Sequence, residues 1–308
     1  MDDPVLILGA GGFIGRQLAH YLAQCDERVI AVSRRPFEAD HPNIETVVAE
    51  PRSADDFAPL VERSRAVIHL ASGSTPGSTA GRPLDELDHN LVPTVGLLQA
   101  LQGTPDRALI FVSSAGTLYG DTDGGASRET DPLRPRSYHG AGKVAAEAFI
   151  HAWCSQFDAA ATVLRPSNVY GPGQTERHSF GIVPTAFGKL LRGDTLTVWG
   201  DGSAVRDFLY IADFVELCRK VLLSPMPVGL RIVNAASGTG TSLNALFSSI
   251  EKVSGRSLPR HYDASRHVDV ARVVIDPGNA RFLFGWEPST PIDDGLQRTW
   301  RWFSTTPP

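Results

Sequence analysis

Val5-Leu6-Ile7-Leu8-Gly9-Ala10-Gly11-Gly12-Phe13-Ile14-Gly15 is an apolar run that enters a glycine turn and opens a helix. An apolar run with no polar alternation suits a strand covered by helices on both faces. Gly9 permits the tight turn, Gly12 lets the backbone approach a pyrophosphate, and Gly15 lets the helix pack close to the strand. The first helical N–H groups, at Phe13 and Ile14, then face the phosphates without a side-chain charge. Dinucleotide binding by Gly9, Gly12, Phe13, Ile14 and Gly15 is the expectation.

Working outward, Val29–Val32, Ala66–Leu70, Ala108–Val112 and Ala161–Leu164 are further short apolar runs. Helical patterns over Gly15–Gln24, Ala54–Ser64, Asn90–Leu101 and His139–Gln156 alternate with them. Such alternation predicts right-handed crossovers and an α/β fold, a Rossmann-type doubly wound parallel sheet. After Arg165 glycine and proline become denser, with helices expected at Val183–Leu191 and Ser242–Ser254 and a returning strand at Arg231–Asn234. The expected division is a dinucleotide-binding domain over residues 1–166, rejoined by 205–235, and a smaller C-terminal substrate-binding α/β domain over 167–204 and 236–308.

The 308 residues are 42% hydrophobic and 20% charged, enough to bury a large core, which excludes a disordered chain. A net charge of −5, with basic residues scattered, argues against nucleic-acid or polybasic membrane binding. Cys25, Cys154 and Cys218 are far apart and odd in number, so neither a disulfide framework nor a metal site is expected. No apolar run approaches a membrane span, and Asp2 and Asp3 stand where a signal peptide would be basic. The expectation is a soluble, cytoplasmic protein. His178, His261 and His267 lie in polar stretches and read as surface residues.

The second strand bears on the cofactor. An NAD site usually ends this strand with an acidic residue on the ribose hydroxyl. Here it ends in Ser33-Arg34-Arg35, a small residue and two guanidinium groups that suit a 2′-phosphate. NAD(P) is therefore expected, with NADP favoured over NAD, and Glu50 reaches toward the adenine.

Other segments carry a resemblance over nearly the whole chain. Val67-Ile68-His69-Leu70-Ala71, Asn90 ahead of Leu97-Leu98, and Ser113-Ser114-Ala115-Gly116-Thr117-Leu118-Tyr119-Gly120 are three of them. Leu164-Arg165-Pro166-Ser167-Asn168-Val169-Tyr170-Gly171-Pro172-Gly173, Gly200-Asp201-Gly202, Arg206-Asp207-Phe208-Leu209-Tyr210-Ile211 and Leu283-Phe284-Gly285-Trp286 follow in order. Together they resemble the extended short-chain dehydrogenase/reductase superfamily, within it the NAD(P)-dependent nucleotide-sugar epimerase/dehydratase family. The resemblance implies a nucleotide-diphosphate sugar as substrate, held by Asn168, Arg206 and Arg266, with Leu70 and Ala71 beside the cofactor. It also implies a homodimer through the helix that bears Val144, Ala145, Ala148 and Phe149.

The family carries Tyr-x-x-x-Lys, in which tyrosinate moves the hydroxyl proton and lysine lowers its pKa and binds the nicotinamide ribose. Here the segment is Ser137-Tyr138-His139-Gly140-Ala141-Gly142-Lys143, which aligns His139 with the tyrosine. At about 100° per residue, His139 and Lys143 share a helix face, about 40° apart, whereas Tyr138 and Lys143 diverge by about 140°. Tyr138 takes the role only if it precedes the helix and turns inward. Neutral His139 is able to accept the proton, but it then becomes a second cation beside Lys143, a poorer base than tyrosinate. The family's catalytic Ser/Thr place holds Ala115, with Ser114 and Thr117 flanking it as substitute hydroxyls. Dehydratases of the family need an acidic pair where Gly116 and Thr117 stand, so dehydration is not expected. Three readings stay open: C4 epimerase of a nucleotide sugar, NADPH-dependent 4-ketoreductase, and a catalytically weakened binding protein.

Overall fold

The computed structural model describes residues 3–75, 77–121, 124–176, 181–265 and 270–305. In chain order come β1 (Val5–Leu8), α1 (Phe13–Gln24), β2 (Val29–Ser33), β3 (Ile44–Val48), α2 (Ala54–Glu62) and β4 (Ala66–His69). Next are α3 (Pro83–Glu86), a π-helical turn (Leu87–Leu91), α4 (Val92–Leu101), β5 (Ala108–Val112), α5 (Ala115–Leu118) and α6 (Tyr138–Phe157). Then follow β6 (Ala160–Pro166), β7 (Asn168–Tyr170), α7 (Ile182–Arg192), β8 (Leu196–Trp199), β9 (Val205–Tyr210) and α8 (Ile211–Leu223). The last are β10 (Gly229–Ala235), β11 (Gly240–Ser242), α9 (Leu243–Ser254), β12 (Arg260–Asp263), α10 (Gly278–Phe284) and α11 (Ile292–Thr305).

These elements form two compact units. The first comprises Met1–Ser114, Ser137–Arg165 and Val215–Val233, the second Ala115–Arg136, Pro166–Phe214 and Asn234–Pro308. The boundaries differ from the sequence division at residues 115–136, 166, 205–214 and 234–235, all in the second unit. Residues 115–136 join the second unit, where Ala115 and Tyr119 pack in one core with Ala236, Val273 and Ile275. Of the stretch expected to return, Val215–Val233 joins the first unit.

The first unit is built on a seven-stranded sheet in the order β10-β6-β5-β4-β1-β2-β3, with every pair from β6 to β3 parallel. Leu8, the last residue of β1, lies level with Val32 on one side and His69 on the other. The order therefore reverses direction at β1 and β4, the place where doubly wound sheets hold their ligands, outside the carboxyl ends of the strands. All four residues of β1 are buried, as its unbroken apolar character requires, and so are those of β4, His69 included. Phe57, Leu97, Leu101, Ile150 and Trp153 from α2, α4 and α6 complete that core. Ser137 caps α6, its Oγ accepting from the Gly140 N–H at 3.1 Å.

The helix expected from Asn90 begins earlier, at Pro83, and passes through the π turn before α4. In the second unit β9 pairs antiparallel with β11 and parallel with β7, and β12 pairs parallel with β8. Asp207 on β9 is buried and ties this unit together. It accepts from Ser167 Oγ (2.9 Å), Ser237 N (2.9 Å), Ser237 Oγ (2.8 Å) and Gly238 N (3.0 Å). Burial raises its pKa while these donors pull it back. Among the described residues no helix is long and apolar enough to cross a membrane.

Candidate active site

Gly9 leaves β1 with φ +90°, a conformation that favours glycine, and a methyl group there would fall 2.7 Å from the Ala71 amide nitrogen. Leu70 N–H donates to Leu8 O at 2.9 Å, so the residues after β4 are fixed beside the turn. Gly12 is the N-cap of α1 with no side-chain cap and no acidic residue in the first turn; Gly15 is buried in that turn. The N–H groups of Phe13 and Ile14 thus open the helix without intrahelical partners. A close-packed glycine turn with helix amides aimed outward fits the pyrophosphate of a dinucleotide. At the end of β2, Ser33 Oγ accepts from Arg35 N at 3.4 Å, and Arg34 pairs with Glu50 at 3.3 Å, both partners largely exposed.

His139 and Lys143 lie one turn apart on α6, both buried. Lys143 Nζ donates to Val112 O, at the carboxyl end of β5, at 3.0 Å and stands 4.8 Å from the centre of the Phe111 ring. Burial lowers the Lys143 pKa to about 8 against the opposing pull of Glu86 and Glu147. Burial, then the Lys143 charge, lowers His139 to about 3. The imidazole is therefore neutral at neutral pH. Tyr138 is the first residue of α6 and is exposed, whereas His139 points into the protein. Ser114 lies two residues past the end of β5, and Thr117 lies in α5.

Burial sets the acid limit of the fold. His69, stacked edge-on against Phe111 with Nε2 3.1 Å from Thr94 Oγ1, is also lowered to about 3, by burial first and Lys143 second. Both histidines stay neutral when folded but take a proton near pH 6.5 when unfolded, so stability falls as pH drops through that value. Each contributes up to about 1.4 kcal/mol per pH unit. In urea titrations from about pH 7 to about pH 5, His69→Gln should remove about half of the slope carried by the pair. An unchanged slope would refute a buried neutral His69.

Around His139 the structure brings together residues that the sequence analysis left without a role. Ser74 Oγ lies 2.9 Å from His139 Nδ1 and donates to Glu86 Oε2 at 2.5 Å. Asn90 Nδ2 donates to Ser74 Oγ at 2.7 Å and to Glu86 Oε1 at 2.8 Å. One turn beyond Lys143, Glu147 is buried with Arg165 and Ser113, Ser113 Oγ donating to it at 2.5 Å. Of these groups, Asn90, Ser113 and Arg165 stood in the family-resembling segments, whereas Ser74, Glu86 and Glu147 carried no signal in the sequence.

In the second unit Asn168 Nδ2 donates to Asp207 O at 2.9 Å, and Arg206 Nη1 donates to Val205 O at 2.9 Å. Gly116 lies beside Asn168: a methyl on it would stand 3.8 Å from the Asn168 amide oxygen. Arg266, His178 and His267 lie outside the described residues. Among the described residues no group of three or more His, Cys, Asp or Glu side chains is arranged to hold a metal ion.

A parallel sheet in this order, with the glycine turn at its direction reversal, defines a dinucleotide-binding α/β protein. The model of the NAD dependent epimerase/dehydratase family matches residues 5–236, and the chain belongs to that family. A UDP-glucose 4-epimerase of Mycolicibacterium smegmatis is 29% identical over 307 residues, covering 97% of each chain. The structure is similar to that of a Thermotoga maritima UDP-glucose 4-epimerase with UDP-glucose (TM-score 0.91, 26% identity, 98% of each chain). It is also similar to MoeE5 in complex with UDP-glucuronic acid and NAD (TM-score 0.89, 27% identity, 98% of this chain and 99% of that one).

Proposed function

We propose that the protein is a UDP-hexose C4 epimerase, with NAD as its dinucleotide and His139 as its base. The observation that carries the reading is the pairing of buried, neutral His139 with Lys143 one turn away, beside the carboxyl end of β5. NAD, when bound, supplies the acceptor for the hydride leaving C4. His139 takes the C4 hydroxyl proton at Nε2 and later returns it to the 4-keto sugar, while the Lys143 ammonium binds the nicotinamide ribose. The glycine turn and the α1 amides hold the pyrophosphate. Ser114 and Thr117 supply hydroxyls to the sugar, and Asn168, Arg206 and Arg266 hold the nucleotide diphosphate, Arg206 as a cation matched to phosphate.

For the cofactor, Ser33, Arg34 and Arg35 favour NADP, but the Glu50 carboxylate already engages Arg34 and offsets the charge a 2′-phosphate would need. With the NAD-bound relative, that pairing favours NAD. The absence of an acidic pair at Gly116 and Thr117 speaks against dehydration. The same reading includes a cytoplasmic homodimer. Its interface is the outward face of α6, where Val144 and Ala145 are half-buried and Ala148 and Phe149 exposed.

The test is incubation with UDP-glucose and NAD, then with NADP, following UDP-galactose by NMR and the dinucleotide by absorbance. UDP-galactose formed without net change in the dinucleotide is expected. Net reduction of NADP to NADPH with formation of a UDP-4-keto sugar would instead establish the ketoreductase, and binding of both ligands without turnover the weakened protein.

A further inference from the structure

With Glu86 as the carboxylate, the hydrogen bonds around His139 leave one arrangement of donors. Gly73 N–H donates to Asn90 Oδ1 at 2.8 Å, which turns the Asn90 amide nitrogen toward Ser74 and Glu86. That nitrogen has two hydrogens, one for Ser74 Oγ and one for Glu86 Oε1. The Ser74 hydroxyl has one hydrogen, and the Glu86 carboxylate at 2.5 Å takes it. Ser74 Oγ then has a lone pair left for His139, so in the neutral ring Nδ1 carries the proton and Nε2 is bare.

Two features build the cluster. The π turn Leu87–Leu91 interrupts the α3–α4 helix between Glu86 and Asn90, and such turns are frequent at functional sites. Gly142 makes room on α6, since a methyl there would stand 2.6 Å from Glu86 Oε1. Glu86, Ser74 and His139 are all buried. A serine and a carboxylate linked to a histidine ring nitrogen repeat, with one more member, the way catalytic bases are oriented by a third group.

We propose that Glu86, acting through Ser74, fixes His139 as the Nδ1–H tautomer and receives the proton that Nδ1 gives up when Nε2 takes one from the sugar. The inference rests on the reading of His139 as the base. In the oxidation step the sugar O–H bond breaks and Nε2–H forms. The Nδ1 proton passes to Ser74 Oγ as the Ser74 proton passes to Glu86 Oε2. The C4–H electron pair leaves as hydride to NAD, the oxidant. His139 ends neutral as the Nε2–H tautomer and Glu86 ends as the acid; returning the hydride reverses each transfer. No imidazolium forms beside Lys143. Ser74 and Glu86 are positioning residues, since neither is required to touch the sugar.

Nitrogen-15 NMR of histidine-labelled protein tests the tautomer without turnover. Wild type should show a protonated Nδ1 and a bare Nε2, and Ser74→Ala should lose that preference. In UDP-glucose epimerisation, Ser74→Ala and Glu86→Gln should each lower kcat at least tenfold with KM changed less than threefold, and Ser74→Thr should restore kcat. A bare Nδ1 in the wild type, or wild-type kcat in Ser74→Ala where His139→Ala is inactive, overturns the relay alone. Wild-type kcat in His139→Ala overturns the base reading and the relay together.

Discussion

Alanine in place of His139 is expected to lower UDP-hexose turnover by about 10²–10⁴-fold, the contribution of a positioned acid–base group, and to change NAD affinity less than about threefold. The imidazole is buried against Ser74, so its removal deletes the proton acceptor while the glycine turn, a separate segment, stays intact. Turnover and cofactor affinity should therefore separate. His139→Tyr should recover part of the loss, because the phenol would stand one turn from the Lys143 ammonium, which stays protonated below about pH 8. Recovery should be incomplete, since the larger ring displaces the partner that Ser74 and Glu86 are built around. An alanine variant that keeps more than about a tenth of wild-type kcat would dismiss His139 as the base.

From the sequence, His139 looked like a compromised tyrosine: an imidazole able to take a proton only by becoming a cation beside Lys143. The structure sets Ser74 beside the second ring nitrogen and Glu86 behind Ser74, the contacts on which the proposed proton outlet rests. Neither residue was legible in advance. Ser74 lies in the irregular segment after β4, where no periodicity applies, and Glu86 sits in a Leu-Asp-Glu-Leu run that reads as a solvated helix start. Their burial is a tertiary effect: the helix more than fifty positions later meets Glu86 at Gly142 and Ser74 at His139. The sheet was legible for the opposite reason. Runs such as Val5–Leu8 and Ala108–Val112 are buried on both faces, and that demand is written into consecutive residues. Strands of the second unit, such as Asn168–Tyr170 and Gly240–Ser242, are three residues long and partly exposed, too short for any pattern to register. The glycine turn was legible because its constraint is local: positive φ at Gly9, and Gly15 packed against the Gly9 carbonyl and Ala10. The Asp207 junction was not, because its donors come from Ser167, Ser237 and Gly238, far apart in the chain.

Arg165→Met should destabilise the protein by about 3–5 kcal/mol, the cost of leaving one partner of a buried ion pair uncompensated. Arg165 and Glu147 meet through Nη2 at 2.5 Å and through Nε at 3.2 Å to both carboxylate oxygens, with 3% and 6% of their side chains exposed. In Arg165→Met the carboxylate keeps the Ser113 hydroxyl, one neutral donor where a guanidinium had met both oxygens. The double variant Glu147→Met/Arg165→Met should return to within about 1 kcal/mol of wild type, because two buried charges leave together and the replacements are apolar. Urea denaturation of the three proteins reads this directly, and a single variant within about 1 kcal/mol of wild type would show that the pair carries no such burial cost. The rescued double variant should nonetheless be a poorer enzyme. Glu147 is one of the two carboxylates that hold the Lys143 pKa up against burial, so without it the ammonium titrates below about 8. The pH at which Lys143-dependent binding is lost should therefore move downward in the double variant while stability is restored. That split would assign the ion pair to the electrostatics of the site, where an apolar pair would have served the fold equally well.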